Sequence, residues 1–108
     1  MSTAAQAPKD IAVEELVDDL GALGDITKKA MFGGYGVFRD GVMFAIVDRA
    51  GMTYLRGDEE LASAFEQAGA ARHGKMPYWQ IPALYRDDET ALLEWAQKSA
   101  DVAAAAKS

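Results

Sequence analysis

The 108-residue chain contains no cysteine and a single histidine. The lack of cysteine excludes disulfide bonds, thiolate nucleophiles and cysteine-ligated metal sites, and it is typical of proteins in a reducing compartment. No apolar run approaches the roughly 20 residues that a membrane-spanning helix needs. The first ten residues, MSTAAQAPKD, lack the basic flank and apolar stretch of a secretory signal. We therefore expect a cytoplasmic protein with no membrane partner.

Signatures of catalysis and of metal binding are also missing. His73 has no Asp or Glu at helix or strand spacing that would complete a metal site. The chain contains neither Gly-x-Ser-x-Gly nor Ser-x-x-Lys. The paired acids at 18–19 and 87–89 fit a solvated helix face and a helix start. We predict a protein that is not an enzyme and has no catalytic, cofactor-binding or metal-binding residue.

Positive charge is scarce, and the net charge is −6. Residues 1–27 hold one Lys against six acids, and residues 87–108 hold two Lys against five acids. Residues 28–86 hold eight Lys plus Arg against six acids, so the middle is mildly basic. This balance argues against direct nucleic-acid binding. Weak DNA binding through a local basic face stays an alternative, with these candidate residues: Lys28, Lys29, Arg39 and Arg56.

The pattern of apolar residues predicts three helices and an antiparallel sheet. A helix capped by Asp10 is followed by apolar runs that meet at Asp40-Gly41, a pair typical of a type I′ hairpin turn. Asp58 is expected to cap a second helix over 59–68, and MPYWQIP to form a late strand before the last helix. The predicted order is α-β-β-β-α-β-β-α, a two-layer α+β domain whose antiparallel sheet has four to five strands.

The domain limits follow from the same pattern. We expect a disordered tail over residues 1–9, a single domain over 10–104 and a frayed tail over 105–108.

The segment Met31 to Phe38, MFGGYGVF, has three glycines within four residues. Its Gly-Gly-x-Gly spacing is followed by a hairpin rather than a helix, so it does not match a phosphate-binding loop. With a period of two, Gly34 and Gly36 share a face with Phe32 and Phe38 in one strand, which predicts a groove in the sheet. The candidate interface or groove residues are Phe32, Gly33, Gly34, Tyr35, Gly36, Tyr54, Tyr78 and Trp79. A small-ligand site or an unrecognised enzyme centred on this groove is the alternative to protein binding.

The run VMFAIV is apolar on both faces of its predicted strand. Val42, Phe44 and Ile46 are expected on one face, and the residues between them on the other. One layer of helices leaves a sheet face uncovered. We expect a second copy of the chain to cover it, giving a symmetric homodimer.

The run MFGGYGVFRDGVMFAIV resembles the N-terminal domain of the TfoX/Sxy family. Further matching features are Tyr54-Leu55, the helix ending at Gly69, the strand Met76-Pro77-Tyr78-Trp79 with Pro82, and Leu93-Glu94-Trp95-Ala96. The likeness covers roughly residues 28–100.

The resemblance implies a two-layer, secretion-chaperone-like α+β fold in a bacterial cytoplasmic protein. It also implies a regulator of natural competence that acts with a transcription activator at promoters. We expect a regulatory or adaptor domain that binds protein, with a transcription activator or RNA polymerase as its partner. The family has no established catalytic set, so the resemblance carries over no catalytic residue. Founding members carry a second, C-terminal domain, and we expect this chain to be a stand-alone N-terminal domain.

Overall fold

The computed structural model describes residues 7–107 of the chain. The helices are α1 (Pro8–Asp19), α2 (Glu59–Gln67), α3 (Ala83–Arg86) and α4 (Glu89–Lys107), with a 3-10 turn at Gly21–Leu23. The strands are β1 (Ile26–Met31), β2 (Gly34–Arg39), β3 (Val42–Val47), β4 (Thr53–Arg56) and β5 (Tyr78–Gln80). The strands form one antiparallel sheet in the order β1-β2-β3-β4-β5. The predicted α+β class is confirmed, and the antiparallel sheet, predicted with four to five strands, has five.

The order of elements differs from the prediction at the glycine-rich segment. The predicted single strand over 30–38 is two strands joined at Phe32 and Gly33, which have φ angles of 53° and 79°. Positive φ at both central residues is the geometry of a type I′ turn. Phe32 and Gly33 therefore lie in a turn, and four strands rather than three precede α2.

A β-bulge in β3 corrects the predicted face of Phe44. The register between β2 and β3 shifts between Val37 and Phe38, which pair with Ala45 and Met43, so Phe44 is the extra residue. Phe44 is fully buried in the hydrophobic core, whereas Ile46 is buried outside that core cluster. The expected alternation fails because a bulge places two successive residues against one partner residue.

The segment after Gly69 does not form the regular strand that the sequence predicted. The predicted second late strand is reduced to one bridge between Arg72 and Trp79. Two flanking hydrogen bonds, from His73 N to Tyr78 O and from Gln80 N to Ala71 O, hold this segment along β5. The predicted order α-β-β-β-α-β-β-α is thus replaced by α-β-β-β-β-α-β-α-α.

The N-terminal ends of α1 and α2 are capped in different ways. The Asp58 carboxylate accepts a hydrogen bond from Leu61 N at 2.9 Å, so the predicted cap of α2 is confirmed. The predicted cap at Asp10 is wrong, because α1 begins at Pro8 and Asp10 instead accepts from Ala7 N at 3.3 Å. Proline suits the first helical turn because its missing N–H would have no partner there.

The chain ends are more helical than expected. α1 already includes residues 8 and 9 of the predicted tail, and α4 continues through Lys107. Residues 1–6 and 108 of the predicted tails lie outside the described residues. Within 7–107, no helix has the length and apolar character needed to cross a membrane.

The hydrophobic core lies between the sheet and a single layer of helices. α1 contributes Val13 and Leu16, and Leu20 follows at its C-terminal cap; all three are fully buried, and α2 contributes Leu61 and Phe65. α4 crosses β3 and β4 and buries its small-residue stripe, which comprises Ala96, Ser99, Ala100 and Ala103. The Ser99 hydroxyl donates to the Arg56 carbonyl at 2.7 Å, which ties α4 to the end of β4.

Two glycines of β2 are required for different reasons. A Cβ at Gly34 would overlap the carbonyl oxygen of Val47, which belongs to the backbone and cannot move aside. A Cβ at Gly36 would lie 2.7 Å from Sδ of Met43 and 3.0 Å from Sδ of Met31, two flexible side-chain positions. Gly34 thus permits close approach of two backbones, and Gly36 accommodates two thioethers.

We predict that Gly34→Ala lowers the free energy of unfolding far more than Gly36→Ala. The expected losses are roughly 3 kcal/mol or more for Gly34→Ala and roughly 1 kcal/mol for Gly36→Ala, because only side chains must yield at the second position. Urea unfolding monitored by circular dichroism measures both. Gly21→Ala is the control, since nothing lies within 4 Å of its added Cβ. Equal midpoints for the two β2 variants would contradict this account.

Candidate interaction surface

The two faces of the sheet have different surroundings. One face, here the helical face, carries Val37, Ala45, Val47, Leu55 and Trp79, which belong to the core cluster under the helices. Strand pairing places a second set on the opposite face, here the open face: Met31, Gly36, Phe38, Met43, Ile46, Tyr54 and Tyr78. Within residues 7–107, the helical core packs on the other face, and the end of α4 reaches one corner of the open face, where Ala103, Ala106 and Lys107 share a cleft with Met43, Arg56 and Tyr78. Ile46 and Tyr78 are buried on this face, whereas Met31, Phe38 and Met43 are half-buried and present apolar surface to solvent.

The groove predicted at the glycines is filled from within the chain. Met31 and Met43 lie on the neighbouring strands, and their sulfur atoms approach Gly36 from either side. Methionine is unbranched and flexible, so it fills irregular gaps of this kind. The glycine motif therefore shapes an apolar surface rather than an empty pocket.

The structure divides the predicted groove residues between different places. Phe32 and Gly33 form the exposed turn at the end of β1, and Gly34 and Gly36 are buried in β2. The remaining predicted aromatics separate by face, with Tyr35 and Trp79 on the helical face and Tyr54 and Tyr78 on the open face. These residues do not line a single groove.

Trp79 belongs to the core rather than to a binding site. Its ring stacks on Phe65 with 6.2 Å between centroids, and its Nε1 donates to the Glu66 carboxylate at 3.2 Å. The Arg72 guanidinium lies 5.0 Å from the Trp79 centroid. Only 4% of Trp79 is exposed, so the indole anchors α2 and the 70–77 segment to β5.

Tyr54 is held in place on the open face by polar and aromatic contacts. Its hydroxyl donates to the Asp48 carboxylate at 3.1 Å, and its ring meets that of His73 edge-on at 4.6 Å. Burial raises the pKa of Tyr54, and the hydrogen bond to Asp48 raises it further. Asp48 also accepts from the Ala50 and Met52 backbone N–H groups, so its carboxylate organises the β3–β4 turn.

Tyr78 and Arg56 pair at the other end of the open face. The Arg56 guanidinium lies 5.9 Å from the Tyr78 centroid, and the buried Nε of Arg56 has no hydrogen-bond partner within residues 7–107. Burial is the main cause that raises the pKa of Tyr78, and Arg56 opposes that rise. The arrangement places a cation beside a buried phenol at the end of β4.

The four cations of the predicted basic face do not share one face. Lys28 and Arg39 pair across the strands with Val37 and Val42 on the helical side, where Lys28 contacts Glu14 at 3.2 Å and Arg39 lies 3.8 Å from Asp101. Lys29 alternates to the open face with Gly36. Two of the four charges are thus balanced by carboxylates of the helices.

A polar network that the sequence did not reveal joins α1 to the sheet. The Tyr35 hydroxyl donates to the Asp10 carboxylate at 2.5 Å, and Lys28 Nζ lies 5.2 Å above the Tyr35 ring. The hydrogen bond from Tyr35 holds the pKa of Asp10 below its usual value, and the same bond raises the pKa of Tyr35. The contact with Glu14 raises the pKa of Lys28. These groups dock a helix onto two strands.

No cluster of three or more metal-ligating side chains occurs in the described part of the chain. A surface cleft of about 450 Å³ lies between α2 and α4. Its lining mixes acidic, basic and apolar residues: Asp58, Glu60, Leu61, Ala64, Trp95, Lys98, Asp101 and Val102. Prediction from sequence missed this cleft because it forms only when the two helices meet.

Comparison with known proteins identifies the family. The model of the TfoX N-terminal domain matches residues 18–103. The chain belongs to the TfoX N-terminal domain family. It is also 36% identical over 72 residues to the DNA transformation protein TfoX1 of Aliivibrio fischeri (strain ATCC 700601 / ES114). That match covers 67% of this chain and 34% of the relative, so the chain corresponds to about a third of the relative's length.

The Asp10–Tyr35 pair predicts a pH-dependent contribution to stability. Because the Asp10 pKa is lowered in the fold, its contribution is present above the unfolded value near 4 and is lost as the pH falls through the folded value. Because the Tyr35 pKa is raised, the phenol's contribution is present below about 10 and is lost at higher pH.

Tyr35→Phe should therefore lower the Tm most between about pH 5 and 9, and the difference from the wild type should shrink below about pH 4. Thermal unfolding across that range measures it. Tyr85→Phe is the matched control, because Tyr85 packs against Trp95 as a ring and is not coupled to Asp10. A pH-independent difference for Tyr35→Phe would contradict the role of Asp10.

Proposed function

We propose that this chain is a non-catalytic regulatory domain of DNA transformation that acts by binding protein. Family membership and the similarity to a DNA transformation protein support the regulatory process. The hydrogen bond from Tyr35 to Asp10 and the ion pair of Lys28 with Glu14 join α1 to the sheet, which supports a structural rather than a chemical use of these groups. The regulatory output would pass through a transcription activator or RNA polymerase.

The observation that carries the proposal is the open face of the sheet. Its side chains Met31, Phe38 and Met43 stay half-buried, because the helical core of residues 7–107 packs on the other face of the sheet. Exposed apolar patches of this kind mark interaction sites. The methionines at its centre suit a surface that adapts to another protein.

A second copy of the chain is the occupant that we propose for the open face. Two sheets can pack face to face at about 10 Å, and a twofold axis lets each apolar set cover the other. Gly36 keeps the middle of the face flat. Because it has no side chain, the side chains of Met31 and Met43 can lie over it.

Met43→Glu should convert the dimer to a monomer, raising the dimer dissociation constant roughly 100-fold because a carboxylate would be buried without a partner. Light scattering coupled to size-exclusion chromatography measures the mass. Phe38→Glu should act in the same direction. Ser63→Glu, on the exposed side of α2, is the control and should leave the mass unchanged. A wild-type monomer at high micromolar concentration would overturn the dimer.

The regulatory role is tested separately in the source organism. Deletion of the gene should lower the frequency of natural transformation, and the wild-type gene should restore it. A folded Met43→Glu variant should restore it poorly, because protein binding through the open face is lost. Unchanged transformation in the deletion strain would refute the regulatory proposal whatever the oligomeric state.

A further inference from the structure

Four large apolar side chains are exposed in residues 7–107, and the path of the chain places all four positions toward one end of the sheet. They are Phe32 (83% exposed), Leu84 (75%), Ile11 (44%) and Met52 (40%). In an antiparallel meander, the β1–β2 turn, the β3–β4 connection and the end of β5 all lie at the same end. Phe32 lies in the β1–β2 turn and Met52 in the β3–β4 connection. Leu84 follows the end of β5, in the first turn of α3.

Helix α1 brings the fourth residue to the same end. The backbone of Pro8, at the start of α1, lies against Gly51 of the β3–β4 connection, which sets Ile11 one turn further along the helix. A cleft of about 270 Å³ separates α1 from α3 here, and Met52 lines it. Ala12 and Ala83 also line this cleft, and they are adjacent in sequence to the exposed Ile11 and Leu84. We call this surface the apolar end.

The opposite end of the sheet provides an internal comparison. Its β2–β3 turn is Asp40-Gly41, with φ angles of 52° and 84°, and the β1–β2 turn at Phe32-Gly33 has nearly the same angles. Asp tolerates a positive φ, whereas a bulky residue such as Phe is strained there. Phe32 thus combines backbone strain with an exposed aromatic ring, and the core gains almost nothing from it. Strain of this kind persists where a residue has a use outside the fold.

Charged residues of opposite sign flank the two sides of the apolar end. The Arg49 guanidinium lies against Gly33, beside Phe32, and Arg49 forms no ion pair within residues 7–107. On the side of the cleft, Glu15 and Asp87 are lining residues, while Arg86 is neutralised by Asp19 at 2.8 Å. The surface is therefore basic near Phe32 and acidic near Leu84.

We propose that the apolar end docks an amphipathic α-helix of a partner protein, with Phe32 as its anchor. Phe32 and Met52 are separated by about two strand widths, roughly 10 Å, which matches about seven residues of a helix. Apolar groups at i, i+3 or i+4 and i+7 of the partner would meet this row. Acidic residues of the partner would face Arg49, and basic residues would face Glu15 and Asp87. This surface is separate from the open face and does not depend on the dimer.

The test is a selection of helical 16-residue peptides, displayed on phage, against the full chain, followed by affinity measurements on the enriched peptides. Enriched sequences should be amphipathic, with acidic residues toward one end and basic residues toward the other. Their affinity should fall at least tenfold for Phe32→Asn and for Leu84→Ser. Asp40→Asn, in the matching turn at the other end, is the control and should bind like the wild type.

The thermal stability of Phe32→Asn separates a role in binding from a role in folding. Because Asn is favoured at this turn position, the variant should unfold at a Tm equal to the wild type or about 2–5 °C higher while it loses peptide binding. A lower Tm would overturn the strain on which the proposal rests.

Three other outcomes would overturn the docking of a helix. The first is a selection that enriches no amphipathic helix, or peptides whose affinity is unchanged by Phe32→Asn. The second is loss of self-association in Phe32→Asn, which would assign the apolar end to a second copy. The third is DNA retardation by the wild type that Phe32→Asn abolishes, which would assign the end to nucleic acid.

Discussion

The close approach of the backbone at Gly34 to the carbonyl of Val47 is the constraint on which the rest of the domain depends. Gly34 follows the β1–β2 turn directly, so its position fixes that hairpin against β3. The next pair in the register is Tyr35 with Val47, which turns Tyr35 toward α1 and leaves Gly36 on the open face. A one-residue slip would exchange the two faces of β2 and place the glycine side against the helices. Both candidate surfaces therefore depend on this contact.

Short-range chemistry was readable from the sequence, and contacts between distant residues were not. The Asp40-Gly41 turn and the Asp58 cap were predicted because each depends on two or three adjacent residues. The Phe32-Gly33 turn was missed because Phe is not a residue that usually takes positive φ, so the segment resembled one continuous strand. The bulge at Phe44 was missed because it arises from pairing with β2.

The same division holds for the candidate surfaces. The opposite orientation of Tyr78 and Trp79 follows from the period of two in a strand. The predicted groove assumed that the space beside the glycines stays empty, whereas Met31 and Met43 enter it from two other strands. The Asp10–Tyr35 bond spans 25 residues, so neither residue signals its partner in the sequence. The gathering of exposed apolar residues at one end likewise requires the order of the strands.

Acidic residues are concentrated on the helices, and the open face carries Lys29 and Arg56 at its two sides. Eleven of the seventeen acidic residues lie in α1, α2 and α4, so the helical layer carries most of the negative charge of a chain whose net charge is −6. The domain consequently has a permanent electric dipole directed across its two layers. In the field of a charged partner such a molecule rotates before it collides, so the side that first meets an acidic surface is the sheet and not the helices.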